Sequence, residues 1–296
     1  MGKPLVIYHA NCQDGWASAW TAWRKLKDNA DFVSAHYGDK PPDCTGREVY
    51  MLDFSCKRPV LLEMAKQANF IVVLDHHVSA QEDLVGDTNA VPVDLTLAAH
   101  GAPNVRIKFD INESGATLSW NHFFPGDNQP WPVRYAKDRD LWLWKLPHSK
   151  EINAYLASEE KSFAKWNELA LLGSSDKAWR DMIGKGEAIL RYQQQLIDSI
   201  VANARETEID GHKVLIANTP VLQSEVANKL AERRPFGVTY FENKAGEIVV
   251  SLRSTEYAEN VASLARKFGG GGHTHASAFK ITDVENKWKQ RLSNSN

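Results

Sequence analysis

The chain has 296 residues, of which 43% are hydrophobic and 24% charged, the composition of an ordinary soluble globular protein of one large or two ordinary domains. Its formal net charge of −2 excludes a general attraction to nucleic acid or anionic membranes, so any nucleotide contact must be local. No apolar run approaches the ~18 residues of a membrane span, and the three cysteines, Cys12, Cys44 and Cys56, have neither disulfide-framework nor zinc-knuckle spacing. A cytoplasmic protein in a reducing compartment is predicted.

Three short apolar runs near the N-terminus, at 5–8, 48–52 and 70–74, predict strands. The intervals between them contain apolar residues at helical spacing, which predicts helices over 14–26 and 58–68. Continuous apolar strands that alternate with helices are typical of a doubly wound, mostly parallel sheet covered by helices on both faces. The N-terminal part of the chain is therefore predicted to be an α/β domain.

The remainder of the chain begins with a long amphipathic segment, 176–206, which predicts one long or two shorter helices and contains the predicted domain boundary. The strand and helix pattern then restarts. The predicted elements are a strand at 212–218, a helix at 224–234, a hairpin at 236–254 turning at Asn243–Gly246, a helix at 260–268 and a strand at 276–281. A second, smaller α/β domain is expected.

Ionisable side chains follow each of the three N-terminal strands. In a doubly wound sheet, ligands bind beyond the carboxyl ends of the strands, so these side chains are expected to converge there. The candidates are, in chain order, His9 with Asp14, then Asp53, then Asp75, His76 and His77, and a fourth carboxylate from Asp138 or Asp140. Carboxylate and imidazole ligands suit Mn²⁺, with Mg²⁺, Fe²⁺, Co²⁺ or Zn²⁺ as alternatives, and two such ions can act together on a phosphoryl group.

These residues also have plain structural explanations. His9 can be an ordinary turn histidine, Asp53 can cap the helix that follows it, and Ser114 is foremost a helix N-cap. Among the ten tryptophans, Trp142 and Trp144 are two residues apart, and core packing is favoured over base stacking for most of the ten. The conjunction of ligand-type residues after successive strands favours a metal site.

Two motifs resemble a known family. The segment VVLDHH, 72–77, resembles the signature of the DHH phosphoesterase superfamily, and FGGGGHTHASAF, 268–279, resembles the glycine-rich motif of the DHHA1 domain. Their order and separation also match, and together they cover nearly the whole chain. The resemblance implies a DHH metal-binding catalytic domain at 1–185, a helical connector at 186–206, a smaller α/β DHHA1 substrate-binding domain at 207–296, and an active site in the interdomain cleft.

Carried over by motif, the resemblance also implies roles for individual residues. The implied metal ligands are His9, Asp14, Asp53, His76 and Asp138, with Asp140 as the alternative to Asp138. His77 is expected to face the substrate phosphate, and Asp75 to orient its neighbours. Cys12 stands where many relatives have the first Asp of this motif. Ligation by its thiolate and occupancy by a single metal are therefore alternatives to two Mn²⁺ ions.

The implied activity is Mn²⁺-dependent hydrolysis of short oligonucleotides or dinucleotides by metal-activated water. The non-scissile part of the substrate is expected to bind Arg253, Gly271, Gly272 and His273. The alternatives are phosphomonoesterase activity on nucleoside bisphosphates such as 3′-phosphoadenosine 5′-phosphate, single-strand exonuclease activity, and nucleotide binding without catalysis. Family members often dimerise, so a homodimer is a further expectation, and no membrane partner is expected.

Overall fold

The structure is a computed structural model, and it divides into two compact units, Met1–Leu190 and Arg191–Asn296. It describes residues 2–10, 12–86, 91–173, 175–255 and 258–281. In this part of the chain no helix combines the length and the hydropathy that a membrane crossing requires. The domain limits predicted above, at 185/186 and 206/207, stay predictions.

The first unit is built on a six-stranded sheet in the order β2-β1-β3-β4-β6-β5. Its strands are β1 (Leu5–His9), β2 (Asp31–Ala35), β3 (Glu48–Leu52), β4 (Phe70–Asp75), β5 (Val93–Leu97) and β6 (Ala102–Phe109). Among these described strands, only β5, at one edge, pairs antiparallel with its neighbour, and the other pairings are parallel. This architecture confirms the predicted mostly parallel α/β sheet.

Helices follow the strands of this sheet and continue beyond it. They are α1 (Gln13–Leu26), α2 (Arg58–Ala65), α3 (Val78–Leu84), α4 (Gly115–Phe123), α5 (Trp131–Asp140), α6 (Ser149–Ser158), α7 (Phe163–Leu172) and α8 (Asp176–Ala202). The amphipathic pattern of 176–206 predicted one long or two shorter helices, and the structure has the single helix α8, which contains the position at which the two units divide.

The apolar run of β4 shows why this strand lies in the middle of the sheet. Successive side chains of a strand point to opposite faces. Ile71 and Val73 belong to the hydrophobic core on one face of the sheet, whereas Val72 and Leu74 belong to the core on the other face. Since both faces are covered, the run is continuously apolar instead of alternating with polar residues.

The strand order also fixes where a ligand can bind. The chain places β2 on one side of β1 and β3 on its other side. The connection that leaves β1 leads to β2, whereas the connection that leaves β3 leads to β4 on the opposite side, so the two connections diverge at the carboxyl ends of β1 and β3. This divergence is the topological switch point at which doubly wound folds bind their ligands.

The second unit contains another six-stranded sheet, in the order β11-β12-β10-β9-β8-β7. Its elements are β7 (Arg205–Ile209), β8 (His212–Asn218), α9 (Gln223–Ala231), β9 (Gly237–Glu242), β10 (Ile248–Arg253), α10 (Val261–Lys267), β11 (Gly271–His273) and β12 (Ala276–Ile281). Of the strand pairs described in this unit, only β8 and β9 pair in parallel. The hydrophobic core includes Val250, Leu252 and Phe279 of the sheet and Val261 of α10.

Candidate metal centre

Asp53 lies at the centre of the candidate site, directly after β3. Its backbone has a φ of 54°, in the left-handed region that non-glycine residues rarely occupy but that Asp and Asn tolerate best. The Asp53 amide donates to the carbonyl oxygen of Leu74 at 2.9 Å, which anchors this conformation to the neighbouring strand. Unusual backbone geometry that neighbouring contacts hold in place is a frequent property of functional sites.

The Asp53 carboxylate contacts two histidines from the two strands that flank it. Its Oδ1 lies 3.1 Å from Nε2 of His76, which follows β4, and its Oδ2 lies 3.5 Å from Nδ1 of His9, the last residue of β1. Asp53 and His76 are almost completely buried, whereas the His9 side chain keeps 23% of its surface exposed. Three strand ends thus bring together three of the predicted ligands.

Asp14 reaches the same point from the first turn of α1. Its carboxylate accepts hydrogen bonds from the Ala116 amide at 3.2 and 3.3 Å, and its Oδ2 lies 4.0 Å from Nε2 of His76. Ala116 belongs to the first turn of α4, where Ser114 and Thr117 form a reciprocal capping box. The N-terminus of α4 therefore stabilises the buried Asp14 carboxylate, and Ser114 has the capping role that the sequence predicted.

Two glycines allow the helices to approach the strand ends this closely. A Cβ atom on Gly15 of α1 would collide with the carbonyl oxygen of His9, and one on Gly115 of α4 would collide with the Cβ of Asp53. Both glycines stand at the first turn of a helix that contacts the site. Any larger residue there would displace a helix or a candidate ligand.

Asp75 acts on the two histidines that follow it. Its Oδ1 accepts from the His76 amide at 2.7 Å and from the His77 amide at 3.2 Å, and it also lies 2.7 Å from Nδ1 of His77. Burial raises the pKa of Asp75, but the nearby His77 and His76 lower it more strongly, so the carboxyl group stays ionised. This geometry is the one expected of a residue that orients its neighbours.

The fourth carboxylate at the site comes from Asp140, the last residue of α5. Its Oδ2 lies 3.3 Å from Nε2 of His76. The carboxylate of Asp138, the residue named above as the ligand, instead accepts hydrogen bonds from the Lys145 and Leu146 amides at 3.0 and 3.3 Å and from Ser149 Oγ. The structure therefore brings together the alternative residue, Asp140, with the other candidates, and it places Asp138 in a supporting position.

Asp138 belongs to a buried chain of hydrogen bonds that runs to the start of α1. Ser149 Oγ donates to Asp138, the Asn153 amide group donates to Ser149, and Gln13 Nε2 donates to Asn153 Oδ1 at 2.6 Å. Gln13 precedes Asp14, and Asp138 is two residues from Asp140. The chain of hydrogen bonds thus connects the two elements that carry these carboxylates.

The pKa values at the centre are shifted in the direction that favours bound positive charge, whether protons or metal cations. Burial raises the pKa of Asp14, and the repulsion by Asp53 and Asp140 raises it further. Burial lowers the pKa of His76, but the carboxylates of Asp140 and Asp53 raise it to about 10, and for His9 the adjacent Asp53 and Cys12 outweigh burial and raise the pKa to about 11. Clustered buried carboxylates are costly unless cations neutralise them.

Three buried carboxylate oxygens of the site, including Asp75 Oδ2, also have unused hydrogen-bonding capacity. Asp53 Oδ2 and Asp140 Oδ2 accept no hydrogen bond of acceptable geometry from any residue that the structure describes, although His9 and His76 are near. Buried acceptors of this kind require an explanation. A divalent cation satisfies such oxygens without a donor proton, so the residues present fit a metal site.

Among the residues of this unit that the structure describes, the ligand-type atoms form two overlapping groups. The first group is His9, Asp53 and His77, and the second is Asp14, Asp53 and His76; within each group the candidate atoms lie within 4.8 Å of one another. Asp53 is common to both groups. This arrangement suits two neighbouring cations with Asp53 between them.

Cys12, the departure from the motif, stands beside the first of these groups without belonging to either. It hydrogen-bonds to His9, and burial raises the pKa of its thiol. The geometry therefore favours the imidazole and carboxylate groups as ligands.

Tyr37 was not among the predicted site residues. It follows β2, and its ring packs edge-on against the rings of His9 and His77, with centroid distances of 5.4 and 5.7 Å. No motif marks this position, because the surrounding segment is a loop of ordinary composition. Only the placement of β2 beside β1 brings Tyr37 to the site.

The predicted substrate-binding residues lie on β10 and β11, which flank β12 towards one edge of the second sheet. Arg253 of β10 is opposite Ala276 of β12, which is in turn opposite His273 of β11. Directly opposite residues of neighbouring strands project to the same face of a sheet, so Arg253 and His273 project to the same face. Their backbones are separated by two strand spacings, roughly 10 Å. Gly271 and Gly272 belong to β11, and a Cβ on Gly272 would collide with the Ala276 carbonyl oxygen.

The Arg253 guanidinium has an ordered environment. It donates to Ser224 Oγ at 2.7 Å and to the carbonyl oxygen of Leu252 at 2.8 Å. These bonds hold the side chain while it stays partly exposed. A guanidinium held in this way is well suited to bind phosphate.

Residues 213–292 match the family model of the DHHA1 domain, and the part of this match that the structure describes ends at Ile281. Among curated proteins, the chain is 28% identical over 305 residues to the uncharacterized protein R106 of Acanthamoeba polyphaga mimivirus, a match that covers 95% of this chain and 68% of that protein.

Solved structures provide a comparison of folds. One described as the DHH domain of a member of a family of ribosomal proteins has a TM-score of 0.52 at 12% identity, with coverage of 94% of this chain and 82% of that chain. The pGpG-specific phosphodiesterase PggH from Vibrio cholerae has a TM-score of 0.46 at 13% identity, with coverage of 94% and 93%. The first of these likenesses indicates a DHH-type fold.

Proposed function

We propose that this chain is a member of the DHH/DHHA1 superfamily of phosphoesterases and acts as a divalent-metal-dependent phosphodiesterase that hydrolyses short oligonucleotides or dinucleotides. The observation that carries the proposal is the pair of overlapping ligand groups that share Asp53 at the switch point of the sheet. Mn²⁺ is the proposed cofactor, since imidazole and carboxylate ligands suit it.

In this proposal His9, Asp14, Asp53, His76 and Asp140 hold the cations. When bound, the cations supply Lewis-acid polarisation of the phosphoryl group and make a water molecule acidic enough to act as nucleophile. Asp53 would serve both groups of candidate ligands, and the carboxylates of Asp14 and Asp140 would supply further negative charge beside His76. Asp138, in place of the ligand role predicted for it, supports the segment that follows Asp140.

His77 is the proposed residue that contacts the substrate phosphate. Asp75 lies 2.7 Å from its Nδ1 and favours a proton on that nitrogen. The ring is thereby held in one orientation, and Nε2 is the atom assigned to a phosphate oxygen. Because His77 also groups with His9 and Asp53, the phosphate that it contacts would lie next to the cations.

Arg253, His273, Gly271 and Gly272 are proposed to bind the non-scissile part of the substrate. Arg253→Ala is expected to raise the KM for a dinucleotide by about tenfold or more, because a charge-assisted contact is lost. It should change the KM for a minimal phosphodiester much less.

Arg234→Ala is the matched control for this substitution, since Arg234 is a partly exposed arginine of the same unit that pairs with Glu206. It removes the same charge and is expected to leave both KM values unchanged. Equal effects of Arg253→Ala on the dinucleotide and on the minimal phosphodiester would refute the binding role.

The reaction is tested by single-turnover hydrolysis of a substrate panel with Mn²⁺, Mg²⁺, Co²⁺, Zn²⁺ or chelator. The panel contains a diribonucleotide, RNA and DNA 5-mers, a cyclic dinucleotide and 3′-phosphoadenosine 5′-phosphate. The proposal predicts fastest cleavage of the diribonucleotide or short oligomers with Mn²⁺ and none with chelator. Fastest cleavage of the bisphosphate would instead assign a phosphomonoesterase, and binding without cleavage of any substrate would assign a nucleotide-binding protein.

A further inference from the structure

The segment directly after Asp140, which joins α5 to α6, exposes apolar side chains. Trp142 keeps 42% of its surface exposed and Leu143 keeps 40%, while Trp144 is half-buried. Large aromatic side chains are usually buried, and an exposed group of them often marks a binding site. This segment therefore has a feature that folding alone does not explain.

The backbone of this segment is held in an unfavourable conformation. Trp142 and Trp144 have φ values of 56° and 53°, in the left-handed region that bulky residues rarely adopt. Asp138 stabilises it through four successive amides. The Leu143 and Trp144 amides donate to its carbonyl oxygen at 2.9 and 3.4 Å, and the Lys145 and Leu146 amides donate to its carboxylate at 3.0 and 3.3 Å. The presentation of the two tryptophans is thus fixed before any ligand binds.

The two indole rings form a defined surface. Their centroids are 5.0 Å apart and their planes meet at 75°, and Lys150 Nζ lies 5.8 Å from the centroid of the Trp144 ring. Because the rings are nearly perpendicular, a flat ligand can stack on Trp142 while its edge meets Trp144. A ligand with a flat π-system and a negative charge could stack on the rings and also pair with the Lys150 ammonium group.

We propose that Trp142 and Trp144 form a stacking platform for the nucleobase adjacent to the scissile phosphate. This inference rests on the proposed function, because Asp140 would be a metal ligand. Trp142 is the second residue after Asp140, so their Cα atoms are at most about 7 Å apart. A phosphate at His76 and Asp140 would therefore have its own nucleoside within reach of the Trp142 ring.

Base stacking on the platform would explain why the site prefers nucleotide substrates. Stacking on an aromatic ring tolerates every base, because each base has a π-face. The site would therefore favour nucleotide substrates over simple phosphodiesters without selecting a sequence. It would also favour flexible or single-stranded substrates, whose bases can leave their neighbours and stack on the protein.

The test compares a diribonucleotide with two analogues that each lack one base. Trp142→Ala is expected to lower kcat/KM for the diribonucleotide between about 5-fold and 100-fold, chiefly through KM, since this is the range for loss of one base–aromatic stack. The same substitution should change kcat/KM less than about twofold for the analogue that lacks the stacked base. Trp142→Phe should retain most of the activity.

Tyr192→Ala is the control for removing an exposed aromatic ring elsewhere, because Tyr192 is 63% exposed on α8. It is expected to leave kcat/KM unchanged for the diribonucleotide and for both analogues. Equal losses for the diribonucleotide and both abasic analogues in Trp142→Ala would overturn the platform, as would no loss at all. The first of these results would point to a disturbed Asp140 rather than a missing stack.

Equilibrium binding of the diribonucleotide in the presence of chelator separates this inference from the proposed function. If the wild type cleaves nothing but binds the diribonucleotide, and Trp142→Ala weakens that binding at least about fivefold, the platform stands although the proposed activity fails. If the wild type cleaves the substrate while Trp142→Ala neither weakens binding nor alters kcat/KM, the activity stands and the platform is wrong.

Discussion

At the scale of single residues, Asp53 shows how one side chain can connect the two halves of the proposed metal site. Its left-handed backbone turns the carboxylate so that Oδ1 faces His76 and Oδ2 faces His9. An extended residue at that position would point its two oxygens differently. The aspartate therefore has two functions, since it tolerates the turn and contacts both histidines.

Asp138 and Asp140 provide a prediction that distinguishes a ligand from a supporting residue. Burial and the neighbouring Asp53 raise the pKa of Asp140, which means that the ionised carboxylate is unfavourable there. Asp140→Asn removes this unfavourable charge. We expect a higher melting temperature for its metal-free form and Mn²⁺ binding weakened by at least about tenfold. Calorimetric melting and Mn²⁺ titration measure the two effects.

Asp138→Asn is the matched comparison, and the opposite pattern is expected. The asparagine amide nitrogen cannot accept the hydrogen bonds that the wild-type carboxylate accepts. The free energy of unfolding of the first unit should therefore fall by about 1–3 kcal/mol. Mn²⁺ affinity should fall less than in Asp140→Asn. A metal-free Asp140→Asn protein that melts below the wild type, together with normal Mn²⁺ binding, would exclude Asp140 as a ligand.

At the scale of elements, the switch point between β1 and β3 determines the location of the site. The helices α1 and α4 then complete the site from their first turns, and Gly15 and Gly115 permit the contact. The site is a product of strand order and of close helix packing. A perturbation of either element should therefore affect activity before it affects the fold.

Gly115→Ala tests this dependence on close packing. Alanine favours helices more than glycine does, yet its Cβ would collide with Asp53. Displacement of Asp53 by about 1 Å is expected to lower kcat/KM by roughly 10²-fold. Steady-state kinetics on the diribonucleotide measure this loss.

Gly184→Ala in α8 is the control for this substitution, because no described atom lies within 4 Å of its new Cβ. The control should gain about 0.5–1 kcal/mol of stability at unchanged kcat/KM. Similar kinetics for the two variants would contradict the close-contact explanation.

Much of this architecture could be predicted from the sequence, and the reasons are local. The central strands β1, β3 and β4 are continuous apolar runs because both of their faces are covered. The edge strands β2 and β5 alternate or contain polar residues, as their burial patterns show. They have no such run, and the sequence analysis did not predict them.

The site was predictable to a similar degree. Residues that directly follow an apolar strand, such as Asp53 and His76, can be placed from topology alone. The choice between Asp138 and Asp140 depends on where α5 ends and on which face each residue projects from, and helix ends are the least predictable part of a sequence. Tyr37 depends on a loop, for which no periodicity exists.

At the scale of the whole molecule, the nearly neutral net charge of −2 conceals a concentrated negative centre. Asp14, Asp53, Asp75 and Asp140 lie within one buried region, where the histidines His9, His76 and His77 face them. Charge of this kind is local and functional. Composition alone cannot report it.

This imbalance predicts an unusual dependence of stability on pH. In metal-free protein the carboxylates raise the pKa of His76 to about 10 and that of His9 to about 11, above the value of about 6.5 in the unfolded chain. Between these values the folded state holds protons that the unfolded state has lost, so stability falls as the pH rises from about 7 to about 10. Melting temperatures with chelator measure this decline.

Bound Mn²⁺ should reverse the trend. The metal replaces the protons on the histidines, so its affinity increases with pH, and the rise in melting temperature on adding Mn²⁺ should grow between about pH 7 and pH 9. Precipitation of the metal sets the upper limit of the experiment. A metal-induced stabilisation that is constant or shrinks over this range would contradict the assignment of His9 and His76.

Asp53 and the groups around it are proposed to hold two cations, and the rest of the proposed site depends on them. Equilibrium dialysis of metal-stripped protein against Mn²⁺ at about pH 8, for the wild type and Asp53→Asn, tests this proposal in one measurement. Asparagine also tolerates the left-handed backbone, so the fold should persist. We predict about two Mn²⁺ per wild-type chain, and at most about one, bound at least ~10²-fold more weakly, in the variant. No binding by the wild type, or identical binding by the variant, would contradict the account.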